Sequence, residues 1–216
     1  PTAILADAGP ETLISTGLVL TRTTIDRMAR PTRGSRTQLN IANWGAIGGD
    51  RNFNRVSVDY TTYLALHRDF LGRVSTLRLD GQVGTIFGGT APTYEQVYLG
   101  GRSFRGFEFR TISPKGYDQN DVLTDTPIGG TFVAFLGAQY QRPLMGELLD
   151  GVVFIDSGTV SDDPGFDQYR VSVGLGLRVY IPQLGPTPLA FDIAVPLVKQ
   201  EGDQTQFFSF SADLPF

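Results

Sequence analysis

The sequence predicts an all-β protein, an antiparallel transmembrane β-barrel of the outer-membrane type. Three observations support this fold class. Apolar and polar residues alternate with a period of two along most of the chain, the connections between these runs differ in length, and the last run is apolar and ends in an aromatic residue. A period of two is the pattern of a β-strand, in which successive side chains point to opposite faces.

The clearest alternation lies at residues 170–181. One alternate set is apolar throughout and comprises Val171, Val173, Leu175, Leu177, Val179 and Ile181. The other set is polar, small or aromatic and comprises Arg170, Ser172, Gly174, Gly176, Arg178 and Tyr180. A helix would scatter both sets around its axis, whereas a strand separates them onto two faces.

Eight further stretches show the same pattern less strongly, so we predict about nine strands. In chain order the nine are 12–25, 36–44, 55–66, 74–87, 131–141, 151–160, 170–181, 189–197 and 207–216. We predict no helix of useful length.

The connections between the predicted strands fall into short, intermediate and very long classes. The short class comprises 66–73, 143–150 and 182–188, the intermediate class 46–54 and 198–205, and the very long class 88–130. Short turns at one end of the strands and longer loops at the other are typical of outer-membrane barrels.

Alternation alone leaves a soluble sandwich and a membrane barrel both open. In a sandwich the apolar face is buried and the polar face is wet. In a membrane barrel the apolar face contacts lipid and the polar face lines the lumen. Two details favour the barrel: the polar faces carry small residues and mixed charges, such as Gly174 and Arg178, and the apolar positions are spread over every strand.

The C-terminal stretch, residues 207–216, favours the barrel further. Its alternate positions are apolar and end in an aromatic residue: Phe208, Phe210, Ala212, Leu214 and Phe216. This pattern resembles the C-terminal strand signal of bacterial outer-membrane proteins. A soluble domain rarely exposes such a strand, because an exposed edge invites pairing with other chains. We therefore expect a barrel in the bacterial cell outer membrane, surrounded by outer-membrane lipid.

The composition argues against several functional classes. The chain has 18 Lys and Arg against 22 Asp and Glu, which gives no electrostatic basis for binding nucleic acid. It has no cysteine, and therefore no disulfide, thiolate metal site or cysteine nucleophile. We interpret the single histidine, His67, as a solvated residue of a short turn. We expect no catalytic residues, no metal and no cofactor.

Residues 94–110, within the longest connection, combine arginine with phenylalanine. The arginines are Arg102, Arg105 and Arg110, and the phenylalanines are Phe104, Phe107 and Phe109. A solvated loop does not need three phenylalanines. We therefore expect this part of the loop to fold back into a cavity.

Three motifs resemble those of the BamA/TamA superfamily, the bacterial surface antigen family. The stretch Arg105-Gly106-Phe107 resembles the core of the family's loop motif, Val-Arg-Gly-Phe/Tyr, although Phe104 stands where valine is usual. The stretch from Phe154 through Asp156 to Gly158 matches the second motif, (Phe/Gly)-x-Asp-x-Gly. The terminal strand is the third, and the three occur in the family's order over nearly the whole chain.

The resemblance implies a particular architecture. The family barrel has about sixteen strands, an even number as in other bacterial barrels. The chain, 1–216, is therefore interpreted as the C-terminal portion of a larger barrel, without the N-terminal strands and the preceding POTRA repeats. The loop at 88–130 is expected to enter the lumen, where Arg105 pairs with Asp156 on the inner wall and Phe154 packs nearby. Gly106 would allow a tight turn or a close approach to that wall.

The resemblance also implies a function: non-enzymatic assembly of proteins into the outer membrane. In the family the first and last strands meet at a weak seam, where a client strand pairs with the opened edge. The implied partners are unfolded outer-membrane proteins and accessory assembly lipoproteins. Two alternatives stay open, a secretion barrel of the same superfamily and a passive outer-membrane pore.

Overall fold

The computed structural model describes residues 1–181 and 187–212, which form one large antiparallel sheet and a long loop. A short helix, α1, spans Thr2–Ala6. The strands, in chain order, are β1 Ser15–Thr23, β2 Gly34–Gly45, β3 Gly48–Arg68, β4 Val74–Phe87, β5 Lys115–Tyr117, β6 Leu123–Pro127, β7 Phe132–Met145, β8 Leu149–Ser161, β9 Arg170–Val179, β10 Leu189–Val198 and β11 Phe208–Ser211. No helix in the described ranges is long and apolar enough to cross a membrane.

Nine of these strands form a single meander in the order β1-β2-β3-β4-β7-β8-β9-β10-β11. The prediction of an all-β antiparallel fold with about nine strands is confirmed. Every neighbouring pair is antiparallel, and among the described residues the sheet is not closed, because β1 and β11 lie at its two edges. Neighbouring strands follow one another in the chain except at one place, where β4 pairs with β7. The long loop, with β5 and β6, connects these two strands.

The two faces of the sheet differ as the alternation predicted. We call the face on which the long loop lies the inner face, and the opposite one the outer face. The outer face exposes large apolar side chains along every strand, including Leu18, Ile41, Leu64, Val83, Leu136, Val153, Leu175, Ile193 and Phe208. The inner face buries polar and charged side chains beneath the loop, including Gln139, Asp156, Arg170, Ser172, Arg178 and Asp192.

The core lies between the inner face and the loop. One apolar cluster joins loop residues to β7 and β8, and it consists of Leu99, Phe104, Phe107, Ile112, Val133 and Val160. A second cluster, containing Trp44, Phe53, Ile86 and Ala91, lies where β2 and β3 meet the start of the loop. The rings of Trp44 and Phe53 stack with their centroids 4.5 Å apart.

Several predicted boundaries are corrected by the structure. The predicted connection at 46–54 is wrong: β3 already begins at Gly48, so only two residues separate β2 from β3. His67 lies in β3 opposite Ser75, not in a turn. The long loop contains a two-stranded sheet, β5 with β6, that was not predicted. Of the predicted terminal strand, β11 covers Phe208–Ser211, whereas Leu214 and Phe216 lie outside the described residues.

Candidate functional site: the loop anchor on the inner wall

The outgoing and returning segments of the long loop pair with each other. Isolated antiparallel bridges pair Val97 with Gly130 and Leu99 with Ile112, so the outgoing and returning segments lie side by side. Arg105 lies at the far end of this double segment. The pairing of the two segments therefore limits where the arginine can reach.

Arg105 binds the carboxylate of Asp156 on β8 through two side-chain hydrogen bonds. Its Nε donates to Oδ2 at 2.8 Å, and its Nη2 donates to Oδ1 at 2.7 Å. The backbone N–H of Arg105 also donates to Oδ2, at 3.1 Å. This fork of parallel donors is the geometry in which guanidinium binds carboxylate most strongly. The contact between these two residues, expected from the motifs, is present.

The remaining side of the guanidinium is also occupied. Nη1 of Arg105 donates to Oε1 of Gln139 on β7 at 2.8 Å, and Gln139 accepts a second hydrogen bond from Arg178 at 3.2 Å. Arg178 in turn binds both oxygens of Asp192, at 2.7 and 3.1 Å. The loop arginine thus joins a polar network that crosses the inner face from β7 to β10.

Phe154 lies directly under the guanidinium of Arg105. The guanidinium carbon is 3.4 Å from the centroid of the ring, a cation–π contact. The ring is 3% exposed. Gly174, opposite Phe154 on β9, provides space for it: a Cβ at Gly174 would come within 2.3 Å of the ring.

Gly106 brings the loop backbone against the wall. Its φ is +91°, a region that side chains with a Cβ rarely adopt. A Cβ there would lie 3.2 Å from Cβ of Ser172 and 3.3 Å from Cβ of Ala194. Ser172 Oγ also donates to the carbonyl oxygen of Arg105 at 2.6 Å. Both features predicted from the motif, the turn and the close approach, occur at this position.

The two phenylalanines flanking the Arg-Gly pair are buried in the apolar cluster beneath the loop. Phe104 is 0% exposed and Phe107 is 1% exposed, and their rings meet edge to face at 5.2 Å. Phe104 contacts Phe135 of β7 in a similar way, at 5.7 Å. Phe109, in contrast, is 77% exposed, so the expectation that the aromatic side chains are buried is correct for two of the three.

Gly158, the last residue of the second motif, permits close packing of the wall itself. A Cβ at this position would lie 2.5 Å from the carbonyl oxygen of Ala134 on β7 and 3.4 Å from Cδ1 of Leu99 in the loop. The glycine therefore serves the strand pairing and the seating of the loop, and it takes no part in the ion pair.

The third motif lies at the sheet edge, away from the loop arginine. Phe208 and Phe210 are about half exposed on the outer face, and Phe210 contacts Phe191 of β10 with ring centroids 5.1 Å apart. Leu214 and Phe216 belong to the same predicted signal but lie outside the described residues.

Sequence reasoning missed several members of this site. Gln139, Ser172 and Asp192 all bind the loop or its network. Each occupies a polar-face position of a strand. The alternation placed the first two on that face, but it carried no signal of which polar residue would meet the loop.

A cavity of about 480 Å³ lies beside Arg105 on the inner face. It is lined by charged residues of both signs, among them Arg78, Asp80, Arg178 and Asp192. No group of three or more His, Cys, Asp or Glu residues that could hold a metal ion occurs within 1–181 and 187–212. The contacts described above hold the loop on the wall by charge pairing and packing.

Comparison with known proteins identifies relatives of this chain. An Omp85 superfamily domain matches residues 3–216. The outer membrane protein assembly factor BamA of Neisseria meningitidis serogroup B is 28% identical over 232 residues, covering 90% of this chain and 28% of that protein. BamA of Neorickettsia risticii is 28% identical over 230 residues, covering 100% of this chain and 29% of that protein. The chain thus spans less than a third of these relatives' length.

A solved structure shares the fold. The crystal structure of BamA from Haemophilus ducreyi lacking POTRA domains 1–3 matches with a TM-score of 0.78 and 22% sequence identity. The match covers 91% of this chain and 41% of that one. The described sheet thus shares its fold with part of that structure, and the predicted outer-membrane location and family are confirmed. This chain belongs to the Omp85 superfamily.

Proposed function

We propose that this chain is the C-terminal portion of a barrel that assembles proteins into the outer membrane by pairing a client strand at its last strand. Its superfamily membership and its similarity to two assembly factors support the assembly role. The observation that carries the proposal is the position of β11 at an edge of the described sheet.

Among the described residues, β11 pairs with β10 through only four residue pairs, from Ala190 with Ser211 to Ile193 with Phe208. By contrast, β9 and β10 share nine pairs, and β7 and β8 share thirteen. The other edge of β11 has no partner strand in the described sheet. A strand at the edge of a sheet can accept an incoming strand by β-augmentation.

The contact between Arg105 and Asp156 supports this activity, because it holds the loop in a fixed position on the inner wall near the last strand. In this proposal Arg105, Gly106 and Phe107 dock the loop, and Phe154, Asp156 and Gly158 form its seat. The work is done by strand exchange and packing, without a catalytic residue or a cofactor. Outer-membrane lipid, unfolded outer-membrane proteins and accessory lipoproteins are the proposed partners.

Site-specific photo-crosslinking in the full-length protein tests the proposal. A photoreactive residue at Phe210 on β11 is compared with one at Val153 on β8, because the two side chains are 52% and 53% exposed on the same face. We expect adducts with an unfolded outer-membrane client at position 210 during assembly, and few at position 153. Equal adducts at both positions, or none at 210 while clients are inserted, would contradict it.

The two alternatives give different results in the same preparation. A secretion barrel would cross-link an exported passenger and leave membrane clients unassembled. A passive pore would conduct ions across a planar bilayer and leave clients uninserted, with no adducts at position 210.

A further inference from the structure

A second buried ion cluster joins three parts of the chain that are far apart in sequence. Arg170 begins β9, Asp203 lies in the connection between β10 and β11, and Lys115 begins β5 in the long loop. Their side chains are 2%, 0% and 6% exposed. Arg170 donates from Nε and Nη2 to the two oxygens of Asp203, at 2.9 and 3.1 Å, and Lys115 Nζ lies 3.5 Å from Oδ1.

The carboxylate of Asp203 is central to this cluster. It also accepts the backbone N–H of Gln200 at 2.8 Å, which fixes the turn that leads towards β11. Burial lowers the pKa of Lys115 below its ordinary value, while the charge of Asp203 opposes that shift. The carboxylate thus offsets the burial of two cations, one from the wall and one from the loop.

The backbone of the same connection pairs with the tip of the loop. Phe107, beside the anchoring arginine, forms an antiparallel bridge with Thr205. The supporting hydrogen bonds run from Glu108 N–H to Gln204 O at 2.9 Å, from Gln206 N–H to Gly106 O at 3.1 Å, and from Gln204 N–H to Thr111 Oγ1 at 2.9 Å. The connection therefore contacts the loop through its backbone and through a buried charge.

These contacts matter because β11 begins immediately after this connection. Among the described residues it pairs with β10 through four residue pairs, and just before it Ala194 N–H donates to Phe207 O at 2.9 Å. The position at which β11 starts is thus set by the loop as well as by β10.

We infer that Asp203 is a positioning residue that couples the docked loop to the terminal strand. When the loop is seated, Asp203 holds the 200–206 connection against it and so fixes the start of β11. When that contact is lost, the connection and the beginning of β11 move more freely. This inference deepens the proposed function, and it rests on that function for the role of β11 as the strand that accepts clients.

The distance between the loop and the connection tests the coupling directly. Spin labels are placed at Glu108→Cys and Gln204→Cys, two exposed positions that lie opposite each other, in the full-length protein with any other cysteine replaced. We expect Asp203→Asn to widen the distance distribution about twofold, because loss of a buried partner promotes local opening. The control is Asp150→Asn, since Asp150 is likewise buried, at 2% exposed, but pairs with Arg30 and Gln141, away from the loop.

A second variant covers the case in which Asp203→Asn does not fold. Lys115→Met removes the loop's charge and leaves the pair between Arg170 on the wall and Asp203 in the connection, and we expect it to widen the distribution as well. Unchanged distributions in the variants that fold, or equal widening in Asp150→Asn, would overturn the inference. The distances need no client. If the unsubstituted protein failed to assemble clients while Asp203→Asn still widened the distribution, the proposed function would be refuted and the coupling would stand.

Discussion

Arg105 illustrates how a single charged residue holds a loop on a wall. Its guanidinium donates to two side chains, Asp156 and Gln139, and its flat face covers Phe154. The side chain is 15% exposed and that of Asp156 is 2% exposed. Removal of either partner leaves the other with a charge that little water can reach, which costs more than the pair contributes.

We therefore predict that Arg105→Ala and Asp156→Ala each lower the free energy of unfolding by about 3 kcal/mol. The double variant is expected to cost little more than either single variant, because both remove the same interaction. Urea unfolding of the full-length protein in lipid vesicles measures all three values.

The matched control is Arg73→Ala. Arg73 forms an ion pair with Asp69 in the β3–β4 turn, where the two side chains are 30% and 27% exposed. An exposed pair is worth about 0–1 kcal/mol, so this variant should unfold almost like the parent. Additive losses at Arg105 and Asp156 would show that the two residues act independently.

At the scale of elements, the loop depends on its apolar contacts as much as on its arginine. Phe104 is fully buried against Phe107 and Phe135, at the point where the loop crosses β7. Phe109, five residues further along the same loop, projects into the open and is 77% exposed. A comparison of the two residues therefore tests the effect of burial, because the amino-acid type is the same.

We predict that Phe104→Ala lowers the free energy of unfolding by about 3–5 kcal/mol, the cost of emptying a large aromatic site in a packed core. Phe109→Ala should change it by less than about 0.5 kcal/mol, because its ring is exposed. Protease protection of the loop in the folded protein should fall in the first variant only. Equal effects of the two substitutions would mean that the loop is not seated as the structure describes.

The strands were predictable wherever one face meets apolar surroundings and the other does not. The boundaries of β4 matched the predicted 74–87, because alternation continues to both ends. The start of β3 was missed because Arg51, Asn52 and Asn54 are polar on both faces, so no period of two is visible there. The β5–β6 pair was missed because its strands have three and five residues, too few for a pattern.

The candidate site was predictable in part, and through motifs rather than periodicity. The motifs led us to expect Arg105 against Asp156 and Phe154. They carried no information on Asp203, whose burial depends on how the 200–206 connection docks on a loop about a hundred residues away in sequence. Such contacts arise from tertiary packing, which no local pattern encodes.

At the scale of the whole molecule, the sheet separates two environments. Its inner face concentrates the buried ion pairs, including Arg105–Asp156, Arg178–Asp192 and Arg170–Asp203. Its outer face exposes at least one large apolar side chain on each of the nine strands of the sheet. That division is the reverse of a soluble sandwich, in which exposed faces are polar, and it is the arrangement of an outer-membrane barrel.

This separation predicts that the destabilisation caused by a charge on the outer face depends on the depth of that charge in the bilayer. Leu136 lies near the middle of β7 and is 64% exposed, whereas Leu144 lies near the end of the same strand and is 53% exposed. Leu136→Arg should destabilise the protein folded in lipid vesicles by about 2–4 kcal/mol, and Leu144→Arg by about 0–1 kcal/mol, because the cost of a charge falls from the bilayer midplane to the interface. Urea titration in vesicles measures both.

The same two variants in detergent micelles supply the control, since the thinner and more deformable apolar layer should narrow the difference between them. If Leu136→Arg cost no more than Leu144→Arg in vesicles, the middle of β7 would not face hydrocarbon. Leu136 pairs with Gly81 of β4. That result would therefore mean that both β4 and β7 lie at a different depth in the bilayer from the depth predicted from their exposed apolar side chains.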